Sequence, residues 1–306
     1  MKQYFLFPGQ GAQYPGMGKD LWENSSSVKK LFELASDTTG IDCSNLLFHG
    51  TEEELKKTDN TQVAITLVNL AAAEALQEKG ITPDGCAGFS LGEFSALVTA
   101  GVLTREDVFP LVKERGLFME AASRKLDKSG GCGMAAVVGT SVEKVEEAIQ
   151  SIEDVYIANL NSPVQTVISG TITGLDKAEQ ACKSAGARRV IRLKVSGPFH
   201  SPLLKEAQDE FAQYLKTINF TVPQIPLYSN VLGRKVEQED DLKQLSIDQI
   251  TSPVRWVDEE NAMITDGVQR CIEAGPGKVL CGLWKSVSRD IPCLQAGTMD
   301  SVENIE

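Results

Sequence analysis

Apolar positions recur along this chain in two rhythms, and the places where one gives way to the other mark its organisation. "QYFLF" near the start is a continuous apolar run of strand length, and it leads into "PGQGAQYPGMG", whose four glycines and two prolines make a surface turn. From Thr61, "TQVAITLVNLAAAEALQEKG" carries the three-to-four residue spacing of a helix that closes on Gly80 as its C-cap. The stretch "AGFSLGEFSALVTAG", Ala87 to Gly101, predicts a strand turning sharply into a buried helix that ends at Gly101. Further helix is expected over "TREDVFPLVKERGLFMEAA", with Thr104 as N-cap and an interruption at Pro110.

Beyond that point the rhythm alternates. "GMAAVVG" reads as a strand, and "TSVEKVEEAIQSI" as a helix opened by a capping box of Thr140 and Glu143. "VYIANL" and "QTVISG" read as two strands joined around "NSP". "TGLDKAEQACKSAG" reads as a second helix with Thr173 and Asp176 in box-like spacing, and "RRVIRLKV" as a last strand. The order β-α-β-β-α-β is that of a ferredoxin-like unit. The expected fold is therefore α/β: a large α/β-hydrolase-like domain over residues 1–124 and 197–306, with a small ferredoxin-like domain inserted over 125–196. After it come a helix ("SPLLKEAQDEFAQYLKTI"), a strand ("PLYSNV") and the turn "EAGPGKVL".

Composition narrows the class. With 42% hydrophobic and 24% charged residues in 306, the chain is an ordinary globular one that can bury a large core. No apolar run reaches the ~20 residues needed to span a bilayer, and the N-terminus lacks the long apolar core and cleavage site of a signal peptide. A net charge of −12 argues against a nucleic-acid partner. Seven scattered cysteines (Cys43, Cys86, Cys132, Cys182, Cys271, Cys281 and Cys293), with no C-x-x-C pair, point to reduced thiols in a cytoplasmic protein and to no zinc site or disulfide frame.

The frame G-x-S-x-G around Ser90 fits a nucleophile on a strand-to-helix turn, and equally a serine that caps the following helix. A serine hydroxyl needs a base, and imidazole has the suitable pKa. Of the two histidines, His49 in "LLFHGTEEEL" reads as a surface or loop residue. His200 in "VSGPFHSPLL" lies where the small domain returns to the large one, at a seam that can face a cleft. Esterases of the α/β-hydrolase fold place their histidine close to the C-terminus, whereas His200 leaves about a third of the chain still to come.

Taken together, "FPGQGAQ" (7–13), "GFSLGEFSALVTAG" (88–101), "RGLFMEAA" (115–122), "NSPVQTVISG" (161–170), "GPFHS" (197–201), "SPVRW" (252–256) and "EAGPGKVLCGL" (273–283) resemble, in order and over essentially the whole chain, the malonyl-CoA:acyl-carrier-protein transacylases. The resemblance implies that Ser90 takes the acyl group and that His200 is its base. It puts the backbone N–H groups of Gln10 and Leu91 at the oxyanion. It puts Gln249 where a neutral acceptor, such as its backbone carbonyl, would orient His200; read alone, Gln249 is as readily a surface glutamine. Arg115 becomes the clamp for the malonyl carboxylate, against the plainer reading of a salt bridge to a local carboxylate. Phe199 fits a pocket that excludes branched acyl units, and Asn161 is a candidate for orienting substrate or an ordinary turn residue. Phe89 stands where the family usually has histidine. The implied partners are malonyl-CoA and an acyl carrier protein, in fatty-acid or polyketide synthesis; no cofactor or metal, nucleic acid or membrane is implied, and a monomer is expected. Two other readings stay open: a hydrolase of thioesters or esters using the same pair, and a catalytically silent docking protein for acyl carriers. Arg188, Arg192 and Lys194, on one side of "RRVIRLKV" with Ile191, Leu193 and Val195 on the other, are a candidate basic face for an acidic carrier.

Overall fold

A computed structural model describes residues 1–306. Ten strands fall into two four-stranded sheets and a short hairpin: β1 (Gln3–Phe7), β2 (Gly85–Gly88), β3 (Cys132–Val138), β4 (Val155–Ser162), β5 (Gln165–Thr171), β6 (Arg189–Arg192), β7 (Tyr228–Ser229), β8 (Arg234–Lys235), β9 (Arg270–Glu273) and β10 (Cys293–Gln295).

The first sheet is parallel, in the order β10-β9-β1-β2. Its strands are nearly continuous apolar runs because helices cover both faces: Tyr4 to Phe7 are fully buried. Against it packs the helix Thr58–Glu78, buried on almost every side. An isolated bridge from Leu227 to Cys86 brings the β7 strand alongside β2, so the chain at 227–230 ends next to the turn that follows β2. The loops after β1, β2 and β9 all emerge at the carboxyl end of this sheet, where ligands bind in open α/β sheets.

The second sheet is antiparallel, in the order β4-β5-β3-β6, with the helices Val142–Ile149 and Ile172–Ser184 packed on it. Alternation along β3 explains how it docks. Ala135 and Val137 join a separate small core with Val145, Ile168 and Leu175, while Met134 and Ala136 face the main core. The free edge of β4 pairs with Val254, through Leu160 N–H to Val254 C=O and Val254 N–H to Ala158 C=O. No helix is long and apolar enough to cross a membrane.

Several local expectations are corrected. The helix Arg105–Asp127 runs unbroken through Pro110: the carbonyl left without a partner belongs to Glu106, in the exposed first turn above the Thr104 N-cap, and the rest of the helix is held by its packing. Near its end Leu126 still packs against the main core. The N-cap of Val142–Ile149 is Ser141, not Thr140, and that of Ile172–Ser184 is Thr171, whose hydroxyl accepts from Gly174 N–H, not Thr173. The alternation read in "RRVIRLKV" puts Leu193 and Val195 against the main core and Arg192 on the opposite side, but that side is not free. Arg192 turns toward the helix layer and pairs with Asp176 at 2.7 Å, whereas Ile191 is 45% exposed on an edge strand. The three basic residues therefore do not form one free face.

One close approach sets the geometry of the first sheet. A Cβ on Gly92 would lie 2.0 Å from the Phe7 carbonyl oxygen, and backbone cannot move aside as a side chain can. Gly92→Ala should lower stability by about 1–3 kcal/mol through overpacking. Gly282→Ala, on an exposed and uncrowded face of the helix Val279–Val287, should leave it unchanged or raise it by up to ~1 kcal/mol. Urea midpoints of the two variants check this, and equal midpoints would contradict it.

Candidate active site

The serine turn is built by backbone packing. Phe89 N–H bonds Phe7 C=O at 2.9 Å, and the helix Gly92–Thr99 starts two residues beyond Ser90. A Cβ on Gly88 would meet the Gly92 carbonyl at 2.1 Å, so both glycines of the frame are needed for the chain to fold back on itself. Ser90 is left at φ 51°, a left-handed conformation rare for a residue with a side chain, and its hydroxyl stands at the apex.

His200 arrives from the other side at φ 57°. The chain carrying it presses on the helix Arg105–Asp127 at Gly197, where a Cβ would lie 1.9 Å from Ser123 Oγ. His200 Nε2 is 2.7 Å from Ser90 Oγ, and Nδ1 is 2.8 Å from the Gln249 backbone carbonyl. A carbonyl only accepts, so Nδ1 carries the hydrogen, Nε2 is unprotonated, and Ser90 donates to it. Burial and the nearby Arg115 guanidinium push the His200 pKa down to about 4, outweighing the opposing pull of the bonds to the backbone of Gln249 and Ser252. The imidazole is therefore neutral, the state able to take a proton.

Arg115 is 1% exposed on the inner face of the long helix. Its Nη1 bonds Gln62 Oε1 and its Nη2 bonds Gln249 Oε1, each at 3.0 Å, and its guanidinium lies 5.2 Å from the centre of the Phe94 ring. Burial lowers its pKa to about 10, offset in part by the Glu93 charge, so it stays cationic. No carboxylate reaches it as a salt bridge, and its Nε is buried without a partner. A guanidinium has five N–H donors, and two bonds are made here. The local salt bridge considered for it is absent.

Seven of the residues singled out in the sequence line one cavity of about 160 Å³ together with Phe89: Gln10, Ser90, Leu91, Arg115, Asn161, Phe199 and His200. Neither Gln10 nor Leu91 gives its backbone N–H to a protein acceptor. Asn161 is a strand residue at the end of β4, not a turn, and its Oδ1 is buried and unbonded. Phe89 also lines the cavity and stacks edge-on against Trp256 with ring centres 5.5 Å apart, so an apolar contact occupies this position. Gln249 is buried, not on the surface, and lies just beneath the cavity. His49 is exposed at the end of the helix Cys43–His49, remote from this constellation.

Sequence reasoning missed what holds these groups. Gln249 Nε2 donates to the Ser90 carbonyl at 3.0 Å and to the Glu93 carboxylate, and Asn230 Oδ1 accepts from Ser90 N–H at 2.8 Å. Glu93 and Glu259 are buried carboxyls beneath the turn. Desolvation raises Glu93 to about 7 against the pull of its hydrogen bonds and Arg115, and raises Glu259 well above the usual range. The one signal available for Glu93 was an acid inside the otherwise apolar "LGEFSALV".

The carboxyl end of the parallel sheet thus holds a strained serine turn, a buried neutral imidazole and a buried guanidinium with unused donors. Residues 4–294 match the acyl transferase domain model, and the chain belongs to that family. It is 41% identical to the malonyl CoA-acyl carrier protein transacylase of Bacillus subtilis over 98% of this chain and 94% of the relative, and 37% identical to that of Staphylococcus aureus over 99% and 97%. Among solved structures it is similar to MCAT from Streptococcus pneumoniae (TM-score 0.94, 39% identity, 99% of this chain and 100% of the other). It is likewise similar to a malonyl-transacylase in complex with its type II PKS acyl-carrier protein (TM-score 0.93, 35% identity, 99% and 98%).

The lowered pKa of His200 can be read directly, because His49→Ala leaves a single imidazole in the chain. Its NMR signals should show a neutral ring with the hydrogen on Nδ1 through pH 6.5, titrating only toward about 4. A midpoint at 6.5 or above would contradict the desolvated environment described.

Proposed function

We propose that this chain transfers a malonyl group from malonyl-CoA to the phosphopantetheine thiol of an acyl carrier protein, through an ester on Ser90. The observation that carries the reading is the Ser90–His200 contact of 2.7 Å in a cavity that also holds a buried guanidinium with unused donors. The names of the similar proteins support both substrates. In the first half-reaction His200 Nε2 takes the Ser90 proton as Oγ attacks the thioester carbon. The oxyanion is met by the N–H groups of Gln10 and Leu91, the latter at the start of the helix Gly92–Thr99. The C–S bond breaks, and His200 returns the proton to the CoA sulfur. In the second half the carrier's thiol gives its proton to His200 and attacks the Ser90 ester, and Ser90 is reprotonated as it leaves. The Gln249 carbonyl keeps the imidazole in the required tautomer throughout.

Specificity follows from charge. Arg115 is fixed by two glutamine oxygens, both neutral, so its charge is free to pair with the malonyl carboxylate. Phe199 narrows the pocket against branched acyl groups, and the unbonded Asn161 Oδ1 offers an acceptor to the substrate. The product feeds fatty-acid or polyketide synthesis. The strand order β4-β5-β3-β6 and the helix placement suit a ferredoxin-like domain over 125–196, and the serine turn suits an α/β-hydrolase-like domain over 1–124 and 197–306. The seven cysteines are free, which suits the reducing cytoplasm.

Ser90→Ala should abolish acylation, and His200→Ala should slow it about 10²–10⁴-fold, the usual contribution of positioned acid–base catalysis. Removing one partner of a desolvated charge pair costs about 2–5 kcal/mol, so Arg115→Ala should lose roughly 30- to several-thousand-fold in kcat/KM for malonyl-CoA. Acetyl-CoA, which has no carboxylate to lose, should become the relatively better donor. A folded Arg115→Ala protein that keeps the wild-type preference for malonyl-CoA would refute the clamp.

A further inference from the structure

Asn230 is fully buried, 140 residues from Ser90 in sequence, and belongs to no motif read from the chain. It follows β7, the short strand laid beside β2, and so stands at the same carboxyl edge as the serine turn. Its side chain grips that turn on both sides of Phe89: Oδ1 accepts from Ser90 N–H, and Nδ2 donates to the Gly88 carbonyl, each at 2.8 Å. Ser90 N–H can only donate and the Gly88 carbonyl can only accept, which fixes which way round the amide lies; Nδ2 also reaches Glu259 Oε1 at 2.8 Å. Its backbone N–H is held by Glu93 Oε1 at 3.3 Å.

We propose that Asn230 is a positioning residue for acyl transfer, acting by clamping the strained turn so that Ser90 Oγ faces His200 and Leu91 N–H faces the developing oxyanion. This rests on Ser90 being the nucleophile. The clamp fits the strain: Ser90 at φ 51° turns its own N–H away from the helix that follows, and Asn230 Oδ1 is its acceptor. Without it the Ser90 N–H has no acceptor, and the peptide leading into Ser90 is held only at its other side, where the Phe89 carbonyl accepts from Gly92 N–H at 2.9 Å. Substrate binding uses other groups, above all Arg115, which Asn230 does not touch. The expected signature is thus a loss in the chemical step with little change in binding.

The test is single-turnover acylation by malonyl-CoA, followed by rapid quench over a range of concentrations, for wild type, Asn230→Ala and the isosteric Asn230→Asp. In the wild type, peptide mapping must place the ester on Ser90; if it lies elsewhere, the functional reading fails before this one is tried. Given that, the limiting rate should fall about 30- to 1,000-fold in both variants, as for a misplaced nucleophile and oxyanion donor. The half-saturating concentration should stay within about threefold. Asn230→Asp keeps the acceptor for Ser90 N–H and loses the donors to Gly88 and Glu259, so it should retain more activity than Asn230→Ala. Wild-type limiting rates in either folded variant, or a loss seen only in half-saturation, would overturn the proposal. Should Asn230→Ala not fold, Asn230→Asp decides alone by the same two numbers.

Discussion

Two backbones meet at the end of β2 with no room for a side chain between them. The Phe7 carbonyl, at the end of β1, lies where a Cβ of Gly92 would be, and the Gly92 carbonyl lies where a Cβ of Gly88 would be. That contact turns the chain from strand to helix within three residues and lifts Ser90 out of the sheet at φ 51°. Everything else at the site is arranged around this point. The loop after β1 brings Gln10 over it, with Gly9 against the Phe89 carbonyl; the strand beside β2 brings Asn230 under it; the return from the antiparallel sheet brings His200 across it.

Beneath the turn lies an unusual amount of buried polarity. Arg115, Gln62, Gln249, Glu93, Asn230 and Glu259 are all nearly or fully shielded from water and joined by hydrogen bonds. Burying ionisable groups is unfavourable unless the charged form is disfavoured or bonded: desolvation raises the Glu259 pKa well above the usual carboxylate range, and Arg115 is met by neutral amide oxygens. Gln249 touches every part of the machinery at once. Its carbonyl orients His200, its amide oxygen holds Arg115, and its amide nitrogen supports the Ser90 carbonyl. Arg115 Nε, in this network, and Asn161 Oδ1, outside it, are both buried without a partner and belong to residues that line the cavity.

What the sequence disclosed follows from how local each determinant is. The serine turn is a property of five adjacent residues, and a chain with two histidines leaves few partners for it, so the meeting of Ser90 and His200 was legible. The β-α-β-β-α-β order was legible from the change of apolar period, since β3 alternates between two cores. The caps slipped by one or two residues because Thr140 and Ser141, or Thr171 and Thr173, offer competing hydroxyls, and only the strand ending beside them decides. The alternation in β6 was legible too, but not that Asp176 on a neighbouring helix pairs with Arg192 while Ile191, at the sheet edge, is left to solvent. Asn230 and Gln62 were invisible, because an amide in an unremarkable stretch acquires its role only when distant strands meet.

The account stands most directly on the identity of the atom that carries the acyl group. Intact-mass and peptide-mapping spectrometry of the protein mixed with malonyl-CoA, before and after addition of holo acyl carrier protein, reads that atom. The account predicts one malonyl ester, on Ser90, that disappears as the carrier gains the malonyl group. CoA released with no ester detected, an ester at another residue, or an ester on Ser90 that water removes and the carrier does not, would contradict it.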